Sequence, residues 1–592
     1  MNSVARYLIT TSDETTWKFD RPVIFLGEWC RVYDRKHIWQ HMDAIVAEPY
    51  GLSSEQKDSD DAEAREYEEN LLIVLRDALN KYHGTQHGSR FWRIVLGHWL
   101  RRYVDVIFNR VRTLEQCLQN YRLSGTALIN VDCYHLAAMD SEEAIRTFND
   151  DRWNNALYIR ILNLLNKSNL PIEYVSGNET KYRVAEITVS HVSLKRKLLR
   201  WGYRQIGKLA GLLAKENDAF IINSYLPKKD LVKLQLAMLQ VPQFWVSPKL
   251  KFTKKPDEGL RQKLSADVAT KPDNTLYDIL QTLIFELIPT CYLENFPELQ
   301  ENIGKVRWPK CPKFIFTSNS FDTDEVFKLW AASKIESGYP YIAGQHGNNY
   351  GTHRYFGKLT PEETSSTKFL TWGWSDGLPQ HTPAFMLKLS VHEMATCNTS
   401  GDLLLIELGE PYRITTWDCT FEFGEYFAEQ KAFVENLKSA SRKQLKIRLP
   451  APNMNSRWRY ESRWREFDQE INLDNGDTKL SELIKQSRLV VHSYDSTGIL
   501  ETLSQNIPTL IFWQSNLDHL RDCAKPYYQK LIDAGIIHLT PQSAAAKVNE
   551  VWDDVAGWWS QSRIQDARSQ FCNRYAKISN SPVMDLKALL TE

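Results

Sequence analysis

Short apolar runs alternate with longer stretches of helical periodicity along most of the chain. This is the pattern of parallel sheets with helices packed on their faces, an α/β fold. Residues 6–10 and 22–26 read as the first strands; 219–223, 313–316 and 341–344 read as later ones. Helical periodicity runs from about 69 to 120 with a break near 83–89, and again over 141–166. The acidic stretch 53–69 between these elements reads as a mobile loop entering a helix. After a polar, turn-rich segment at 357–368 the pattern resets. Residues 369–372, 402–408, 445–449, 489–492 and 509–513 then read as strands of a second unit. The expected organisation is therefore two Rossmann-like domains facing a cleft. Helical insertions fall in the first, residues 1–360, and the second spans 361–592. The last helices, across 544–576, are expected to cross back onto the first domain.

Composition narrows the function classes. The 592 residues exceed one core, and 43% hydrophobic with 25% charged content is ordinary for a globular chain. Basic and acidic residues balance at 73 each, whereas a protein tracking a phosphate backbone shows a basic excess, so no nucleic-acid partner is expected. The nine cysteines are dispersed with no CxxC pair, which points to a reducing compartment and gives no zinc spacing. No signal-peptide h-region and no long apolar span are visible. The expectation is a cytoplasmic protein that needs no metal. Nineteen tryptophans supply aromatic faces suited to sugar rings as well as to core packing.

Ligands of open α/β sheets sit at the carboxyl ends of strands, where helix N-termini point inward. The segment RLVVHSYDSTGILETLSQNIPTLIFW, 488–513, fits that position best. An apolar strand leads into the polar loop His492, Ser493, Tyr494, Asp495. A helix then starts near Ser496 or Thr497, where free N–H groups and hydroxyls meet an anion. Gly498 removes a side chain where a phosphate would approach, and Glu501, one turn on, is placed to meet a ribose.

This stretch resembles the donor-binding element of GT-B glycosyltransferases, in which a Ser/Thr pair holds phosphate and a downstream Glu meets the ribose. Ser496, Thr497 and Glu501 are the matching residues. TTSDETTW near the N-terminus, FLGEWC at 25–30 and QHGNNYG at 345–351 resemble transferases encoded in bacterial O-antigen and surface-polysaccharide loci. That resemblance covers the whole chain. It implies an acceptor-side N-terminal domain, a C-terminal domain for a nucleotide sugar, and a role in lipopolysaccharide or related polysaccharide synthesis. The strand exit KIRLPAP, 446–452, partly resembles the His-Pro element of GT-B sialyltransferases, with Arg448 near the His position. An Arg there could grip phosphate bidentately, and the likeness favours a CMP-activated ulosonic or nonulosonic sugar.

A transferase of this kind needs a general base for the acceptor hydroxyl. His346 follows the strand at 341–344 between Gly344 and Gly347, and is similar to the His of the WHG element in teichoic-acid polymerases of GT-B type. Asp13 and Glu14 follow the first strand, and Glu28 follows the second; these carboxylates are the alternatives. Gln345, Gly347, Asn348, Asn349 and Tyr350 are candidates for holding sugar hydroxyls. The pair Asp322 and Asp324 reads as a helix cap rather than a metal motif.

Residues 193–215 carry seven basic side chains and no acidic one, with Arg196, Arg200, Arg204 and Lys208 in one helical stripe. Such a helix binds anionic lipid, which places the protein at the cytoplasmic face of the inner membrane beside a lipid-linked glycan acceptor. A second stretch, 90–112, mixes Trp92, Trp99 and Phe108 with arginines. Two other functions fit the same fold: a CDP-polyol phosphotransferase-like enzyme, and a non-catalytic scaffold of a polysaccharide assembly complex.

Overall fold

The computed structural model describes residues 4–130, 135–165, 170–176, 213–268, 275–355, 359–389, 398–409, 423–450, 458–513 and 516–592. Within them the chain builds three parallel sheets. The first holds β1 (Arg6–Ile9), β2 (Val23–Phe25), β3 (Ala44–Val46), β4 (Leu123–Asn130) and β5 (Ile172–Ser176), in the order β3-β2-β1-β4-β5. The second runs in simple sequence, β6 (Phe220–Ile222), β7 (Ile315–Thr317), β8 (Tyr341–Gly344), β9 (Lys368–Thr371) and β10 (His381–Pro383). The third holds β11 (Asp402–Ile406), β12 (Leu445–Arg448), β13 (Asn472–Asp474), β14 (Ser487–His492), β15 (Thr509–Phe512) and β16 (Ile537–His538). Its order, β13-β12-β11-β14-β15-β16, is that of a Rossmann sheet, with a switch point between β11 and β14. Central strands such as β8 and β15 are buried along their whole length, which is why they read as unbroken apolar runs.

The expected α/β class with Rossmann-like sheets facing one another is borne out, with three sheets where two were expected. The strand predicted to open the second unit, 369–372, belongs to the middle sheet. Its register against β8, Ile342 opposite Lys368 and Gly344 opposite Leu370, leaves β11 as the first strand of the third. A sequence break at 357–368 marked a long connection, not a change of sheet. The chain does return at its end, further along than 544–576. Helix Ser562–Tyr575 packs on the third unit and touches the middle one only at its end, where Arg574 donates to Ser375 O, while helix Pro582–Thr591 joins Leu586 and Leu590 to the apolar cluster of Ile221 and Leu370 in the middle sheet.

Helices Ser54–His83 and Ser89–Asn120 form a hairpin, closed by Gly84 in the left-handed conformation (φ 67°) that only glycine adopts without strain. The stretch 53–69, expected as a mobile loop, is helical from Ser54. Ser53 caps it by accepting from Gln56 N at 3.1 Å, and its carboxylates are neutralised by the following helix. Glu68 meets Arg101 at 3.0 Å and Glu63 meets Arg112 at 3.2 Å. The helix Ser89–Asn120 lies between the first and middle sheets, so 90–112 is no lipid-facing surface. Trp92, Trp99 and Phe108 are buried, Arg102 pairs with Asp322 at 2.6 Å, and Arg110 donates to Asn154. Of the basic segment 193–215, residues 193–212 lie outside the described residues. Among the described residues no helix is long and apolar enough to cross a membrane.

Candidate functional site

The middle and third sheets meet where two sequence motifs face each other. After β8 the chain turns through Gln345 to Gly351; after β14 it turns through Ser493 to Ser496 and enters helix Thr497–Ser504. Ser496 is the N-cap, accepting from Gly498 N at 3.2 Å. Asn348 N donates to Thr497 Oγ1 at 3.0 Å, and Asn348 Nδ2 donates to Asp495 Oδ1 at 2.8 Å. Gly347 lies against the same hydroxyl: a Cβ on it would stand 3.6 Å from Thr497 Oγ1, an ordinary contact. The helix N-terminus, whose first N–H groups point out of the helix with Gly498 N capped by Ser496, thus lies beside the loop that carries His346.

His346 is backed by a buried chain of polar groups. Its Nδ1 lies 2.8 Å from Tyr350 OH, and that hydroxyl donates to Glu362 Oε1 at 2.5 Å. The second oxygen of Glu362 is 3.2 Å from His98 Nε2, and His98 also approaches Asp322, which Arg102 holds. Burial alone raises a carboxyl, but His98, Tyr350 and His346 outweigh it and hold Glu362 at about 2. Glu362 is therefore an acceptor only, and Tyr350 must give it its single proton. Nδ1 of His346 then carries hydrogen and donates to the Tyr350 oxygen, which leaves Nε2 with its lone pair. Burial lowers the His346 pKa, with Glu362 and Asp322 opposing, so the neutral, proton-accepting form is present at neutral pH. Tyr225, at φ 63° and only partly covered, lies 6.4 Å from the imidazole, ring centre to ring centre.

The other candidates take varied places. Gln345 is buried and fully used: its Nε2 donates to Gly347 O at 2.8 Å, and its Oε1 accepts from Trp372 N and Trp374 Nε1. Asn348 and Tyr350 are likewise buried and bonded within the protein, so these three shape the loop rather than offer groups to a sugar. Asn349 remains half-buried at the surface. His492 is wholly enclosed under Gly498, its Cε1 2.9 Å from where a Cβ would lie, and burial pushes its pKa down to about 3. It is a neutral packing group with no access to a phosphate. Ser493 donates to Ile406 O at 3.1 Å and meets Tyr426 OH at 2.8 Å, bridging β14 to β11. Asp495 is taken up by Asn348 and by His353 and His519, each 3.2 Å away, so it fastens the loops. Glu501 pairs with Lys388 at 2.6 Å, a contact that spans the middle and third units at the surface. Arg448 is engaged by Asp474.

Asp13, Glu14 and Glu28 lie at the carboxyl ends of the first sheet. Asp13 caps the turn Glu14–Thr16, and Glu14 is forked by Arg35 at 2.5 and 2.7 Å. Glu28 bonds Arg31 and borders cavities of about 440 and 360 Å³ that Gly424 of the third unit also lines. The third sheet is thus approached from both sides, by the first sheet at Gly424 and by the middle sheet at Thr497.

Sequence reading missed several residues of this site. His98, Asp322 as a network member and Glu362 are scattered over the chain and carry no local signal. Glu407 had one: it is a carboxylate directly after the apolar run of β11. It is buried with Trp464 Nε1 donating to Oε1 at 2.9 Å, while Oε2 has no hydrogen-bond partner among the described residues. Burial raises its pKa to about 8.

The sequence pattern of the LIC12162 family transferases matches residues 6–590. The chain belongs to that family. No curated protein matches this transferase. Among solved structures, the spinosyn rhamnosyltransferase SpnG is 12% identical at a TM-score of 0.28, covering 63% of this chain and 99% of that one. The glycosyltransferase SnogD from Streptomyces nogalater is 11% identical at a TM-score of 0.25, with the same coverage of 63% and 99%. Both are distant likenesses.

Proposed function

We propose that this transferase moves a sugar from a nucleotide donor to a glycan acceptor, with His346 as the general base. The observation that carries this reading is the juxtaposition of His346, on the loop after β8, with the N-terminus of helix Thr497–Ser504 across the Asn348–Thr497 hydrogen bond. Donor phosphates at Ser496, Thr497 and Gly498 would receive backbone N–H groups and the helix dipole. Nearby Lys388 would add a cation, so the leaving phosphate needs no metal in this scheme. His346 Nε2 takes the acceptor proton as the hydroxyl attacks. The charge that develops on the imidazole is then balanced through Tyr350 by Glu362. Tyr225, beside His346, offers a partly exposed ring for the acceptor sugar.

The favoured donor is a CMP-linked ulosonic or nonulosonic acid, on the partial likeness of the strand exit 446–452 to the His-Pro element of sialyltransferases. Arg448 would join it only if its pair with Asp474 opened. The favoured acceptor is a surface-polysaccharide or lipid-linked glycan, met at the cytoplasmic face of the membrane through 193–215. Nucleotide release from a panel of CMP-, UDP- and GDP-sugars tests the reading, with release from a CMP-sugar as the expected result. Release from another nucleotide sugar alone would replace the donor. Failure to bind any nucleotide, read as no thermal stabilisation by CMP, CDP, UDP or GDP, would favour a scaffold.

A further inference from the structure

We propose that His353, Asp495 and His519 form a binding site for a divalent transition-metal ion of the zinc class. Asp495 Oδ2 stands 3.2 Å from His353 Nε2 and 3.2 Å from His519 Nε2, and all three donor atoms lie within 4.8 Å of one another. A tetrahedral ion with bonds of about 2.0–2.1 Å places its ligand atoms about 3.3 Å apart. The two separations of 3.2 Å on one carboxylate oxygen, which serve as hydrogen bonds here, have the edge length of such a coordination sphere. Two imidazoles and one carboxylate are also a donor set that suits zinc and its neighbours.

The surroundings are those of a ligand set held in place. Arg354 N donates to His519 O at 2.8 Å and His353 pairs with Leu520 across an antiparallel bridge, which fixes the two histidine-bearing segments side by side. Asn348 Nδ2 donates to the other Asp495 oxygen, the outer contact that orients a ligating carboxylate. The Tyr528 hydroxyl, 1% exposed, lies against Asp495, Asn348 and Thr352 beside the three donor atoms.

The three ligands come from the segments after β8, β14 and β15, so the ion would clasp the middle unit to the third, within a few residues of Asn348 and Thr497. The site stands apart from the donor reading, since it is assayed with no nucleotide present. The experiment uses the full chain without a histidine tag, purified without chelator, and measures metal content by mass spectrometry. One zinc per chain is expected, with loss of that zinc in His519→Ala and in His353→Gln. Cobalt(II) in its place should give the intense visible bands of a tetrahedral ion. EDTA should lower Tm by several degrees and added zinc should restore it. A wild-type chain with no bound metal and a Tm indifferent to EDTA and zinc would overturn the proposal. So would zinc retained at full stoichiometry in a folded His519→Ala protein. If that variant fails to fold, the wild-type EDTA and cobalt measurements decide.

Discussion

The backbone N–H of Asn348 donates to Thr497 Oγ1 at 3.0 Å, so the loop after β8 of the middle sheet is fastened to the helix start after β14 of the third. Because that hydroxyl accepts from Asn348, its own proton remains available to a phosphate. Ser496→Ala combined with Thr497→Ala is expected to abolish nucleotide binding while the far-UV circular dichroism is unchanged. Thr497→Val alone, which keeps the shape, should weaken Kd by about 10- to 150-fold, the loss of one hydrogen bond to a charged group. Calorimetric titration with CMP checks both. An unaltered Kd in the double variant would remove this segment from the donor site.

His346→Gln should leave that Kd intact and lower kcat by about 10²- to 10⁴-fold, the usual contribution of a positioned base. Burial lowers the His346 pKa from 6.5, and the base works only when neutral. Activity should therefore be lost as pH falls through a value below 6.5, not above it. A profile of kcat/KM against pH reads this limb directly. A limb above 6.5, or full turnover in the variant, would eliminate His346.

Tyr350→Phe tests the link from His346 to Glu362. The ring is retained, the acceptor for the Nδ1 proton is lost, and kcat should fall by about 10- to 100-fold with little change in KM. Glu362→Gln removes the negative charge that raises His346, so the acid limb of the pH profile should move to lower pH. A limb that stays in place in Glu362→Gln would mean that the carboxylate does not act on His346.

Glu407 gives a prediction about stability. Burial raises it from 4.5 to about 8. A raised carboxyl favours folding fully below its unfolded pKa, and that contribution is lost as pH climbs towards the folded value. The wild-type chain should lose stability between about pH 5 and pH 8. Glu407→Gln, which retains an acceptor for Trp464, should be more stable near pH 7 by on the order of 3 kcal/mol. Urea midpoints at both pH values check the sign. Parallel loss in the two proteins would show that Glu407 is ionised in the fold.

Much of the fold was legible in the chain. Strands such as β8, β11, β14 and β15 are buried parallel strands, and their apolar runs stand out against polar loops. Weaker elements did not. The strands β3, β13 and β16 hold only two or three residues each, and β3 and β13 are not buried. The helix at 54–69 looked like a loop because its carboxylates are neutralised by Arg101, Arg112 and Arg354, which lie outside any local window. The arginines of 90–112 looked lipid-facing for the mirror-image reason.

The sequence by itself determined the α/β class, the strand–loop–helix at Ser496 and Thr497, and the glycine-flanked His346, because each is a local matter of backbone geometry and capping. Only the tertiary structure decided that these two motifs touch, that His492 is sealed beneath Gly498, and that Asp495 is drawn to His353 and His519. It alone assembled Tyr350, Glu362, His98 and Asp322 behind His346. These outcomes depend on which sheet edge each loop leaves and on what the neighbouring unit sets against it. Burial and electrostatics between distant segments, not local pattern, give those side chains their protonation states.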